Sequence, residues 1–129
     1  MRALKYCLLA ALTVSLIGVS VAEEKKPLAI KEIMKKAHQP PAKGEDPLCK
    51  KVVTGKASDA EAKELLAYYE DLAKNKPPMG DADDWKKRTS ALVSSVKLVV
   101  DKKDGATDAY KKALDCMGCH EMHRPPKDK

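Results

Sequence analysis

Ser58-Asp59-Ala60-Glu61-Ala62-Lys63-Glu64-Leu65-Leu66-Ala67-Tyr68-Tyr69-Glu70-Asp71-Leu72-Ala73 is the stretch that decides the fold. Its apolar residues Ala62, Leu65, Leu66, Tyr69, Leu72 and Ala73 recur three and four apart, the period of one helix face. Ser58 and Glu61 form a capping box, in which the hydroxyl accepts from the amide three residues on and the carboxylate reaches back to the cap amide. Asn75-Lys76-Pro77-Pro78-Met79-Gly80 ends the helix.

The same period runs outward in both directions, and no stretch alternates with period two for long enough to suggest a sheet. Upstream, a helix is expected from about Pro27 to His38, with Ile30, Ile33, Met34 and Ala37 on one face and Gln39-Pro40-Pro41-Ala42-Lys43-Gly44 stopping it. Asp46-Pro47 opens a short helix over Leu48, Cys49, Val52 and Val53 that ends at Gly55. Downstream, Asp81 or Asp83 caps a long helix whose stripe is Trp85, Leu92, Val96, Val99 and Val100, with Ala91 and Val93 beside it, closed by Asp104-Gly105. A last helix is expected from about Thr107 to His123, presenting Ala109, Tyr110, Ala113, Leu114 and Met117. Four amphipathic helices joined by short connections make an all-α, antiparallel four-helix bundle the expected architecture.

The ends and the composition bound what such a domain can do. Arg2 and Lys5, the apolar run Tyr6 to Val19 and the small-x-small site Ser20-Val21-Ala22 read as a secretory signal peptide, residues 1–22, cleaved after Ala22. The run falls short of the ~20 residues a membrane span needs, so a retained anchor is the weaker reading. Residues 23–129 then form one small domain in an exported, periplasmic protein. Two of the 25 basic residues lie in the signal, so 23 remain against 19 acidic ones, a formal charge of +4. With no Phe and one Trp, and lysines scattered singly, the chain lacks the basic stripe and stacking aromatics of a nucleic-acid binder.

Near the C-terminus stands Cys116-Met117-Gly118-Cys119-His120, a CxxCH pentad, the pattern of c-type haem attachment. Each thiol can add across a haem vinyl group while the adjacent imidazole binds the iron, so one helical turn delivers three bonds. Export exposes thiols to oxidation, and the odd count left after cleavage, Cys49, Cys116 and Cys119, fits two consumed by haem with Cys49 left as a buried or semi-buried free thiol. An intermolecular disulfide through Cys49 is the alternative. A thioredoxin-like pair would need a βαβ setting that is missing here. A zinc site from Cys116, Cys119, His120 and His123 would need four ligands within eight residues of one helix to surround a tetrahedral ion.

His120 is the fifth iron ligand the motif supplies, its other ring nitrogen expected to donate to a backbone carbonyl or carboxylate. Met122 and His123 follow too closely to reach the opposite haem face, so a sixth ligand must come from upstream: Met34, His38 or Met79. Met34 and His38, spaced i, i+4, share one side of the first helix. Ordinary core packing for Met34, a C-terminal capping role for His38 and a surface turn position for Met79 are the competing readings.

With its CxxCH near the C-terminus, an Arg four residues after the His, and this order of helices, the stretch Cys116 to Arg124 resembles the class II cytochromes c, the group of cytochrome c prime and its low-spin, methionine-ligated relatives. The resemblance covers most of Pro27 to Arg124, resting on architecture outside the haem helix. It implies that Met34 is the distal residue, with His38 one turn later competing, and that Arg124 lies near the haem edge or a propionate. Class II relatives often dimerise through their first helices, so a homodimer is an open outcome here, where that helix is short. The expected function is a monohaem electron carrier, not an enzyme, cycling iron between two states and docking on redox partner proteins, acidic ones among them. The alternative is a five-coordinate haem that binds diatomic gases such as NO or CO; a helical structural or zinc-binding module without haem is the third reading.

Overall fold

In the computed structural model, residues 24–127 are described, and the signal segment 1–22 with its cleavage site lies outside them. Among the described residues every regular element is helical: α1 (Ile30–His38), α2 (Leu48–Val53), α3 (Asp59–Lys74), α4 (Ala82–Val100), α5 (Ala106–Ala113) and α6 (Cys116–His123). None of these helices is long and apolar enough to cross a membrane.

The capping box forms as expected. Ser58 Oγ accepts from the Glu61 amide at 3.2 Å, and Glu61 Oε2 accepts from the Ser58 amide at 2.8 Å. Asp81, not Asp83, caps α4 by accepting from the Asp84 amide. The first helix begins at Ile30 instead of Pro27. The segment before it is tied to α3 by side chains, the Leu28 amide donating to Asp71 and the Leu28 carbonyl accepting from Asn75. Those bonds satisfy the backbone without a helical turn.

α3 packs along α4, and α4 along α5, while α1 and α2 close over α3. Ile33 and Ala37 of α1, Val52 of α2, Leu65, Tyr69 and Leu72 of α3, Trp85 and Val96 of α4 and Tyr110 of α5 fill one contiguous core. Trp85 enters it with its indole N–H satisfied, donating to the Asn75 carbonyl at 2.9 Å.

The last helix departs from expectation. Leu114 and Asp115 interrupt it, splitting the segment into α5 and α6. Asp115 turns its carboxylate onto the Gly118 amide at 3.0 Å and starts a new helix, a local bond that competes with continuing the old one. The break re-aims the residues beyond it. Met117, expected on the inner face of a continuous helix, is 72 % exposed.

Candidate functional site

α6 is eight residues long, and only His123 in it is buried. Its N-terminus is fixed by the Asp115 cap, which also explains the glycine at Gly118: a Cβ there would collide with the Asp115 carboxylate. Cys116, Cys119, His120 and His123 follow at i, i+3, i+4 and i+7, one side of the helix. Along that side exposure falls from open Cys116 through half-buried Cys119 and His120 to His123 at 2 %. All three described thiols, Cys49 included, are free. Cys116 is therefore open to solvent, while Cys119 and His120 are partly covered.

Facing this side is a polar group carried by three other helices. The hydroxyls of Tyr69 and Tyr110 are 2.6 Å apart in the core, and Tyr69 Oη lies 3.4 Å from His38 Nε2, a long and therefore weak contact. Burial holds the His38 ring neutral, bringing its pKa to about 4, and nearby His120 adds to the shift because two positive rings would repel. Burial likewise pushes both phenols up, with the neighbouring phenol adding to the shift at Tyr69. Burial raises Cys49, and the Cys116 thiol adds to it. Cys119 is raised by burial too, against the opposing charge of Arg88. Burial thus favours the protonated thiol at Cys49 and Cys119, and Cys49, half-buried against the core, is poorly placed for an intermolecular disulfide.

Met34 is half-buried against the core one turn from the His38–Tyr69 contact, and His38 is the α1 residue that senses His120. Met79 is exposed, at 42 %. Arg124 is exposed at the C-cap of α6, its amide donating to the His120 carbonyl at 3.0 Å. The carbonyl and carboxylate expected to orient the proximal imidazole are found on His123 instead: Nδ1 meets the Met79 carbonyl at 3.0 Å and Nε2 meets Asp84 Oδ2 at 2.9 Å. With both nitrogens engaged and its ring edge-on to Trp85, His123 is lost to the four-ligand zinc set. No three His, Cys, Asp or Glu side chains converge as a metal cluster among the described residues.

Sequence reasoning missed Asp84, Arg88 and Asp115. Arg88 Nε donates to Asp84 Oδ2 at 2.7 Å and its Nη1 donates to Asp115 Oδ2 at 3.0 Å. The Arg88 bond, with His123 second, holds the Asp84 carboxyl below its usual range, and the Gly118 amide with Arg88 does the same for Asp115. Two local signals were available, the i, i+4 pair Asp84/Arg88 and the N-cap spacing Asp115/Gly118.

A haem fits these donors better than a bare ion does, because it needs two accessible thiols and an imidazole on one turn instead of a convergent cage. Among the described residues, three of the four large exposed apolar side chains, Met79, Met117 and Met122, belong to α6 or to the loop that bonds its last turn. An apolar prosthetic group would cover surface of this kind. A surface groove of about 650 Å³ between α3 and α4, lined by Glu70, Ala73, Lys74, Ser90, Val93 and Ser94, shares no residue with the pentad. The candidate site therefore rests on the chemistry of its donors. Comparison with models of known protein families, with curated proteins and with solved structures found no match.

Proposed function

We propose that this chain is an exported monohaem c-type cytochrome that carries single electrons, built as a class II-like antiparallel four-helix bundle in which α5 and α6 together form the fourth rod. The observation that carries the reading is the pentad itself on a capped, solvent-reachable turn, with both thiols free and His120 near a neutral imidazole. When bound, the haem iron supplies the one-electron couple. Cys116 and Cys119 would hold the ring, His120 would bind the iron, and Arg124 would pair with a propionate.

For the distal side, His38 is the stronger candidate, because its ring is neutral, half-buried and close to His120. Met34 remains its rival from the family resemblance. A second reading, gas binding at a five-coordinate iron, is favoured by one observation: Nε2 of His38 already faces the Tyr69 hydroxyl, which would hold the ring back from an iron.

Absorption spectra of the purified protein test all of this. Haem that stays with the chain after denaturation is expected; a colourless or zinc-loaded protein sinks the proposal. His38→Leu should convert a low-spin spectrum to high spin while Met34→Leu leaves it low-spin, and the opposite result transfers the distal role to Met34. A ferrous form that binds carbon monoxide at once, with neither variant altering the spectrum, selects the gas-binding reading.

A further inference from the structure

We infer that Asp84 and Arg88 of α4 are positioning residues for haem attachment, clamping α6 at both ends so that Cys116 and Cys119 are presented together. The inference rests on the haem reading above. α6 buries no large apolar side chain, so packing alone cannot fix where its thiols point. What fixes it is a continuous chain of directional bonds. At the C-terminal end, His123 is held between the Met79 carbonyl at 3.0 Å and Asp84 Oδ2 at 2.9 Å. The same Asp84 oxygen accepts from Arg88 Nε at 2.7 Å, and Arg88 Nη1 reaches Asp115 Oδ2 at 3.0 Å, whose other oxygen caps Gly118 at the N-terminal end. Single exposed ion pairs contribute little, but here two carboxylates share one planar guanidinium, so the geometry of each bond constrains the next.

Both ends also seat on glycine. A Cβ at Gly118 would strike Asp115, and one at Gly80, whose φ is +84°, would strike the Met122 carbonyl. Two close approaches and two polar anchors therefore set the position of α6.

The reaction makes that position matter. In each attachment a thiol S–H adds across a vinyl C=C: one C–S bond forms, the hydrogen goes to the neighbouring carbon, and nothing leaves. The two vinyl groups sit at a fixed spacing on a rigid ring, so the second addition is fast only where the second thiol is already aligned. Cys116 directly follows Asp115 and is exposed, whereas Cys119 lies one turn deeper against the core. Loosening the Arg88 end should free Cys116 first.

The test expresses the full chain, signal included, in cells that attach haem to CxxCH proteins, and counts thioethers by mass and by the pyridine haemochrome band. Two thioethers are expected for the wild type. For Arg88→Leu and Asp84→Asn, a severalfold rise in product joined through Cys119 alone is expected, with Arg88→Lys intermediate. In the haem-free variants, amide exchange at Gly118 and Cys119 should quicken severalfold while that of Leu65 and Tyr69 does not, which separates a displaced α6 from an unfolded chain. Wild-type yield of the doubly attached product in both variants overturns the positioning role alone. A wild type without covalent haem overturns the haem reading and this inference together. Should Arg88→Leu fail to fold, Asp115→Asn, which keeps the cap acceptor and removes the charge, must show the same single attachment for the inference to stand.

Discussion

α3 and α6 are held in place by different physics. α3 runs 16 residues from a reciprocal cap and lays Leu65, Tyr69 and Leu72 into the core, so its position follows from apolar area and shape. α6 runs eight residues, buries one histidine, and is held by hydrogen bonds to α4 and to the Met79 loop. Burial is non-directional and tolerates small shifts; hydrogen bonds are directional and fail one at a time. The contrast matters for the proposed haem site, because the thiols sit on the half held by few directional bonds and the apolar core on the half that resists change.

The sharpest way to break the contrast is to damage the scaffold. Leu65→Ala removes a fully buried side chain from the centre of the core and is expected to cost roughly 2–5 kcal/mol, read as a fall in the urea midpoint of the haem-free protein. In a chain of this size that is a large share of total stability. If the midpoint hardly moves, the α3 face is not the core described here.

The scaffold was also the half that could be read in advance. The Ser58/Glu61 box, the Asp81 cap and the stops at Pro40 and Gly55 are local features, settled by residues three or four apart. The site was legible only in part. CxxCH announces its own chemistry. The Asp115/Gly118 cap that splits α5 from α6 is local, but the apolar period runs on through it, so the two read as one helix and Met117 fell on the wrong face. The bond that anchors Asp115 reaches Arg88, 27 residues away, and the burial of His123 rests on Asp84, 39 residues away, partners of which a periodic pattern carries no trace. The distal side suffers likewise, since what distinguishes His38 from Met34 is the nearness of Tyr69 and His120 rather than spacing on α1.

Acid should act at the boundary between the two halves. His38 titrates near 6.5 when unfolded and at about 4 in the fold, so between those values the unfolded chain holds a proton that the folded one refuses. The contribution of a neutral His38 is thus complete above about pH 6.5 and is lost as pH falls toward 4, amounting to roughly 1–3 kcal/mol over that window. The groups facing the ring are the Tyr69 hydroxyl, whose pKa burial drives further upward, and His120. Urea midpoints of the haem-free protein at pH 7 and pH 5 should therefore diverge, and His38→Leu should narrow the gap; an equal gap in both proteins would assign the acid sensitivity elsewhere. Asp84 and Asp115, whose carboxyls are depressed by their partners, lose their contribution only at lower pH and do not confuse this comparison.

The two helix N-termini give the finest version of the contrast, because each is capped by one side chain that accepts from an amide three residues on: Ser58 from Glu61 at 3.2 Å, Asp115 from Gly118 at 3.0 Å. Ser58→Ala removes only a local bond at an exposed position and is expected to cost about 1 kcal/mol of stability. Behind that cap, the Lys51 ammonium still meets Glu61 at 2.7 Å and Leu65 still fills the core, so α3 has nowhere else to go. Its effect should appear in the urea midpoint and leave the thioether count and the haem spectrum untouched. Asp115, in contrast, is at once cap and anchor for Arg88, with Cys116 next to it in the chain. A Ser58→Ala protein that lost a thioether would mean that the position of α6 is set by global stability and not by its own bonds, which would erase the distinction between the two halves.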